Sequence, residues 1–211
     1  MNPANDAFVT TSKDTTARVW NIAQRKLVAI YQNARCAAFD NTGTVLAMVF
    51  SAADVEPKEP KETQRYFINL YEANPCKDVP FSTFSLEEGE IKRMKFSNNG
   101  QYLMCCTDSG YHILDAYTGD RKIKFEPLVS PESGGCLEGG FTPDSQYFAC
   151  GSEDGTILIW NIVTGKQVNK LEKHFKPVNC LKFSNKYAVL VSACQNLVFW
   201  QPQNVGAPIS H

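Results

Sequence analysis

FTPDSQYFACGSEDGTILIWNIVTGK, residues 141 to 166, alternates short apolar runs with turn residues, and this rhythm decides the fold. Tyr147 to Gly151 is apolar and bounded by Pro143-Asp144-Ser145 on one side and Glu153-Asp154-Gly155 on the other, the punctuation expected between antiparallel strands. Thr156 to Trp160 follows as a second run, and its β-branched residues suit a pleated, buried surface. Asn161 and Thr164-Gly165 then turn the chain back. Taken as one unit of a repeat, this stretch sets the remaining sequence in register.

The register predicts a single all-β domain over 1–211, with repeat units at 1–31, 32–86, 90–125, 136–173 and 176–202 and a polar tail at 203–211. In the first unit Trp20 falls over Trp160 and Asp14 over Asp154, so Phe8 to Ser12, Thr15 to Trp20 and Lys26 to Tyr31 supply three strands and an initial strand is missing. The second unit runs from Arg35 to Phe39, then from Val45 to Phe50, and resumes at Tyr66 after SAADVEPKEPKETQR, about 13 residues longer than the template allows. Two prolines, alternating Lys and Glu and no apolar period make Ala52 to Arg65 a solvated loop, a tolerated insertion or a partner-contacting element. In the third unit Leu114-Asp115 stands where the template has Trp160-Asn161. The last unit ends at Trp200 without a fourth strand, so the count is eighteen strands, three in each terminal unit and four in each of the others.

With 43% hydrophobic and 20% charged residues, the 211-residue chain has the composition of a globular protein, and no run approaches the roughly 18 apolar residues of a spanning helix. A net charge of -1 argues against binding nucleic acid through a global basic field. The eight cysteines fall inside apolar strands rather than in a spaced framework, which reads as small buried hydrophobes in a reducing compartment. No C-x-x-C pair occurs, Cys105 and Cys106 are adjacent and so point to opposite faces, and there are three histidines, an unpromising set for zinc.

These units follow the pattern of WD repeats, with Trp160-Asn161 in place of the naming Trp-Asp pair. In such repeats a histidine before the first strand, a Ser or Thr on the second, an Asp in the next turn and a Trp on the third form a buried hydrogen-bonded chain. Here the set is partial: Ser12, Asp14 and Trp20 in the first unit, Ser152, Asp154 and Trp160 in the fourth, and His174, Ser192 and Trp200 in the fifth. One serine per unit is the spacing of a structural lock, because a nucleophile triad needs one convergent cluster. No phosphate-loop, H-E-x-x-H or nucleophile motif is present, so the expectation is no catalytic residues, no metal and no cofactor.

PFSTF at 80–84, KFSNNGQ at 95–101, ILDAYTG at 113–119, FTPDSQ at 141–146, GSEDG at 151–155 and SACQNLVFWQP at 192–202 together resemble the WD-repeat subunit family of COMPASS-type histone methyltransferase complexes, the Swd-two or WD-repeat protein eighty-two family. The resemblance implies a seven-bladed β-propeller of roughly 300 residues, of which about five units are present, as an open or incomplete ring of an N-terminally truncated chain. It further implies a non-enzymatic nuclear adaptor for histone H3 lysine-4 methylation, whose partners are the methyltransferase catalytic subunit, other complex subunits and the phosphorylated tail of RNA polymerase II. Adaptors in transcription termination, phosphatase or polyadenylation complexes, and a propeller enzyme, stay open as alternatives. The turns between second and third strands are the expected contact face, with Lys13, Arg35, Lys58, Lys61, Arg65, Arg93 and Lys176 as candidates for an acidic or phosphorylated peptide. Trp160 and Trp200 are expected to be largely buried.

Overall fold

The computed structural model describes residues 1–51, 65–87, 89–126, 137–184, 187 and 189–202. Among the described residues eighteen strands form five antiparallel sheets in chain order. The first holds β1 (Ala7–Thr11), β2 (Ala17–Asn21) and β3 (Lys26–Tyr31). The second holds β4 (Ala34–Phe39), β5 (Val45–Ser51), β6 (Tyr66–Glu72) and β7 (Ser82–Leu86). The third holds β8 (Arg93–Phe96), β9 (Tyr102–Thr107), β10 (Gly110–Asp115) and β11 (Arg121–Phe125). β12 (Gly139–Phe141), β13 (Tyr147–Gly151), β14 (Thr156–Asn161) and β15 (Gln167–Glu172) make the fourth. β16 (Cys180–Phe183), β17 (Leu190–Ala193) and β18 (Leu197–Trp200) make the fifth. The three-four-four-four-three distribution is the one the repeat template predicts, and strand ends shift by a residue or two.

The chain divides into two compact units, Met1–Cys136 and Leu137–His211. In the first, β5 shows why the sheets stack. Its alternate side chains belong to two different cores: Leu46, Met48 and Phe50 pack with Val19, Ala34 and Tyr71, whereas Ala47 and Val49 pack with Ile68, Phe84, Phe96 and Leu103. Strict side-chain alternation makes one strand serve two interfaces, and a strand buried on both faces reads as a continuous apolar run. Leu114, 1% exposed, fills the tryptophan position of the third sheet inside the second of these cores. The second unit is built the same way around Ala149, Ile157, Val178, Leu181 and Leu190.

The residue after the tryptophan position has a clear local task. Asn21 Oδ1 accepts the Gln24 amide at 2.7 Å, Asn161 Oδ1 the Thr164 amide at 2.8 Å, and Asp115 Oδ1 the amides of Tyr117 and Thr118 at 2.9 and 3.1 Å. Each closes the turn to the outer strand as an Asx-type cap, which a carboxylate or an amide oxygen performs equally. That equivalence explains Trp-Asn in place of Trp-Asp. Gly155, in the β13–β14 turn at φ +85°, has no room for a side chain: an added Cβ would lie 2.2 Å from the His174 carbonyl oxygen, so this turn is pressed against the segment leading into β16.

Two expectations are corrected here. Trp160 is 7% exposed and buried as expected, but Trp200 is only half-buried because β18 is the edge of a three-stranded sheet among the described residues. The cysteines are also not uniformly thiols: Cys36, Cys76, Cys105, Cys150, Cys180 and Cys194 are thiols, whereas Cys106 is disulfide-bonded. Alternation along β9 separates the neighbours, sending Cys105 into the core shared with the second sheet and Cys106 to the opposite face.

Candidate partner-binding face and the tryptophan locks

In the first unit, Lys13 sits in the β1–β2 turn and Arg35 near the start of β4. They line one cleft of about 520 Å³ with Thr11, Ser12, Thr15 and Glu90. Arg35 Nη1 lies 3.2 Å from Glu90 Oε1, and Arg65 Nε, at the head of β6, lies 3.1 Å from Glu87 Oε1. Lys92 pairs with Asp108, and the exposed Arg93 opens β8. Lys58 and Lys61 lie outside the described residues, as does all of the Ala52 to Arg65 insertion except Arg65. Lys176 belongs to the second unit, just ahead of β16.

Carboxylates that the motif reading passed over, Glu87, Glu90 and Asp108, are thus interleaved with the cations. This face is a pattern of ion pairs at the surface, each worth little by itself. The acidic run followed directly by bases at 87–93, EEGEIKR, is the sequence signal for Glu87 and Glu90.

The locks show a different correction. Trp20 Nε1 donates to Thr10 Oγ1 at 3.0 Å, and Trp200 Nε1 donates to Ser192 Oγ at 2.7 Å. Ser12, which sequence reasoning placed opposite Trp20, lies in the turn, where its Oγ accepts the Asp14 amide at 3.3 Å. Ser152 likewise lies in the turn after β13, its amide donating to Thr156 O at 2.8 Å. The reason is the hairpin length. Trp20 pairs with Phe8 and Trp160 with Phe148, each twelve residues apart, whereas Trp200 pairs with Leu190, ten apart. Counting back a constant number from each tryptophan therefore slips by two residues: the indole meets Thr10 in the first sheet and Ser192 in the fifth, and the register puts Cys150 at the matching position of the fourth.

The aspartates brace their own turns. Asp14 Oδ1 accepts from the Thr16 hydroxyl at 2.7 Å and the Thr16 amide at 2.9 Å, and these bonds hold its carboxyl below the usual carboxylate range. Burial works against ionisation at Asp154, but the Thr156 hydroxyl and amide, at 2.6 and 2.9 Å, with help from Ser152 and Lys170, outweigh it and keep that pKa lowered as well. In the fifth sheet His174, 7% exposed, places Nε2 2.7 Å from Ser192 Oγ and Nδ1 3.1 Å from Cys194 Sγ. Burial lowers the His174 pKa, so the ring is neutral at physiological pH. Among the described residues no three His, Cys, Asp or Glu side chains are grouped to hold a metal ion, and no helix is long and apolar enough to cross a membrane.

Antiparallel three- and four-stranded sheets stacked through apolar faces, Asx-capped outer turns and tryptophan locks are the marks of the WD-repeat β-propeller fold class. The WD domain, G-beta repeat, matches residues 135–161 and 165–199, and a designed protein, Ika8, superposes over 94% of this chain and 56% of its own with a TM-score of 0.66 at 19% identity, a likeness of fold alone. The chain's homologues include Protein ANTHESIS POMOTING FACTOR 1 of Arabidopsis thaliana, 31% identical over 99% of this chain and 60% of the relative. WD repeat-containing protein 82 of Drosophila melanogaster is 31% identical over 96% and 62%, and COMPASS component SWD2 of Saccharomyces cerevisiae 25% identical over 95% and 62%. The chain therefore spans about 60% of the length of these relatives.

Proposed function

We propose that this protein is a non-enzymatic scaffold subunit of a COMPASS-type histone H3 lysine-4 methyltransferase complex in the nucleus, and that it contacts the phosphorylated tail of transcribing RNA polymerase II. The relation to COMPASS component SWD2 over 95% of the chain carries the first part. The Lys13–Arg35 cleft supports the second: it combines two cations with the hydroxyl-bearing side chains of Thr11, Ser12 and Thr15, the donor set that suits a phosphoryl group. Glu90 sets the specificity, because a monoanion gains little over the existing Arg35–Glu90 pair whereas a dianionic phosphate displaces it.

Purification of the tagged protein from nuclear extract should recover lysine-4 methyltransferase subunits by mass spectrometry. Recovery of termination, phosphatase or polyadenylation factors alone would transfer the assignment to those assemblies. For the cleft, Lys13→Glu with Arg35→Glu should weaken binding of a phosphorylated polymerase-tail peptide at low salt by about tenfold or more. Unchanged affinity removes this face as the peptide site.

A further inference from the structure

The hydrogen-bonded chain of the fifth sheet ends on a sulfur. Trp200 Nε1 donates to Ser192 Oγ, Ser192 Oγ contacts His174 Nε2, and His174 Nδ1 lies 3.1 Å from Cys194 Sγ. In the order of this chain Cys194 takes the last place, the one an aspartate oxygen holds in complete WD repeats. The shortened β17–β18 hairpin brings it there: Cys194 is the first residue after β17, and its amide closes the turn onto Asn196 O at 3.1 Å. Cys194 is only partly buried, so small solutes reach a thiol whose hydrogen-bond partner is an imidazole nitrogen.

We propose that Cys194 and His174 form a thiol–imidazole pair that reacts with hydroperoxides, and that the lock of the fifth sheet is the element this reaction adjusts. The indole can only donate, so Ser192 Oγ accepts from it, and the proton between Ser192 and His174 can sit on either atom. With the proton on Nε2, Nδ1 is free to accept the thiol proton; with the proton on the serine, Nδ1–H donates to sulfur. The first arrangement is the reactive one, because there Nδ1 takes up the proton released by the Cys194 thiol. Its sulfur lone pair attacks one peroxide oxygen, an S–O bond forms as the O–O bond breaks, and the departing hydroxide takes the proton held by the imidazole and leaves as water. Sulfur is oxidised by two electrons to a sulfenic acid and the peroxide is reduced. With its proton passed to the hydroxide, Nδ1 is again an acceptor and the sulfenic O–H donates to it, so that an oxygen returns to the place in the chain that an aspartate would fill.

Cys180 is the internal control, because it opens the same sheet and is the more exposed of the two. Hydrogen peroxide is added to the native protein, sulfenic acids are trapped with a cyclic dione, and tryptic peptides are quantified. Cys194 should be labelled at least about tenfold faster than Cys180 in the native chain, and the two should converge in urea. His174→Gln, which keeps a polar side chain but cannot accept the thiol proton, should lower the native ratio about fivefold or more. A native ratio of one or below overturns the proposal without any variant, and so does an unchanged ratio in a folded His174→Gln protein.

Discussion

Replacing Ser192 by alanine tests the lock of the fifth sheet directly. Ser192 is 1% exposed, and its hydroxyl is bonded to both Trp200 Nε1 and His174 Nε2 at 2.7 Å. Alanine removes a small group and leaves little cavity, so the cost comes from the two ring nitrogens that lose their partner. Leaving a buried polar group unsatisfied costs about 1 to 3 kcal/mol. His174 is buried and bears the full penalty, whereas half-buried Trp200 recovers part of it from water, giving about 2 to 3 kcal/mol in all. For a chain of this size that lowers Tm by about 4 to 12 °C. The assay is urea unfolding of Ser192→Ala, Trp200→Phe and the double variant. Trp200→Phe deletes the indole donor, so with both changes the serine–indole bond is lost once rather than twice, and the double variant should cost at least about 0.5 kcal/mol less than the sum of the singles. Strictly additive costs, or a loss below about 0.5 kcal/mol for Ser192→Ala, would refute the lock.

Trp160→Ala should destabilise by about 3 to 5 kcal/mol, read by the same denaturation, because the ring is 7% exposed and leaves a cavity. A parent-like melt combined with lost partner binding would make Trp160 a ligand contact instead. His112 is fully buried with Nε2 3.1 Å from Thr107 Oγ1, and burial first, then the Lys124 charge, push its pKa down to about 4 against a weaker opposing effect of Glu126. The unfolded imidazole takes a proton near 6.5 while the folded one resists, so the stability His112 contributes is complete above that value and is lost as pH falls towards 4. Between pH 7.5 and 5.5 the loss due to His112 is about 1.3 kcal/mol, so the stability lost between the two values, measured by unfolding, should be smaller by about that amount in His112→Gln than in the parent.

Much of the fold was legible because the repeat fixes strands by turn residues, and turn chemistry is local. Gly155, Asn161 and Asp115 mark their turns whatever surrounds them. What escaped depended on pairing across strands. The assignment of Ser12 and Ser152 failed where Thr10 faces Trp20, because hairpin length changes register without changing the motif. Cys194 was invisible as a hydrogen-bond partner of His174, since twenty residues separate them and a thiol is not the expected residue there. Of the candidate contact residues, Lys13 and Arg35 converge on one cleft, but the carboxylate beside Arg35, Glu90, comes from the connection between β7 and β8 and only the tertiary structure supplies it.

The double service of β5 has a consequence for how this sequence can vary. Leu46 and Met48 answer to the first sheet, Ala47 and Val49 to the third, so neighbours in sequence are strangers in packing. A volume change at Met48 is compensated among residues such as Val19 and Tyr71, while one at Val49 is compensated near Ile68 and Leu103. Across related sequences, substitutions along this one strand should sort into two independent sets of covarying partners, with odd and even positions each blind to the other.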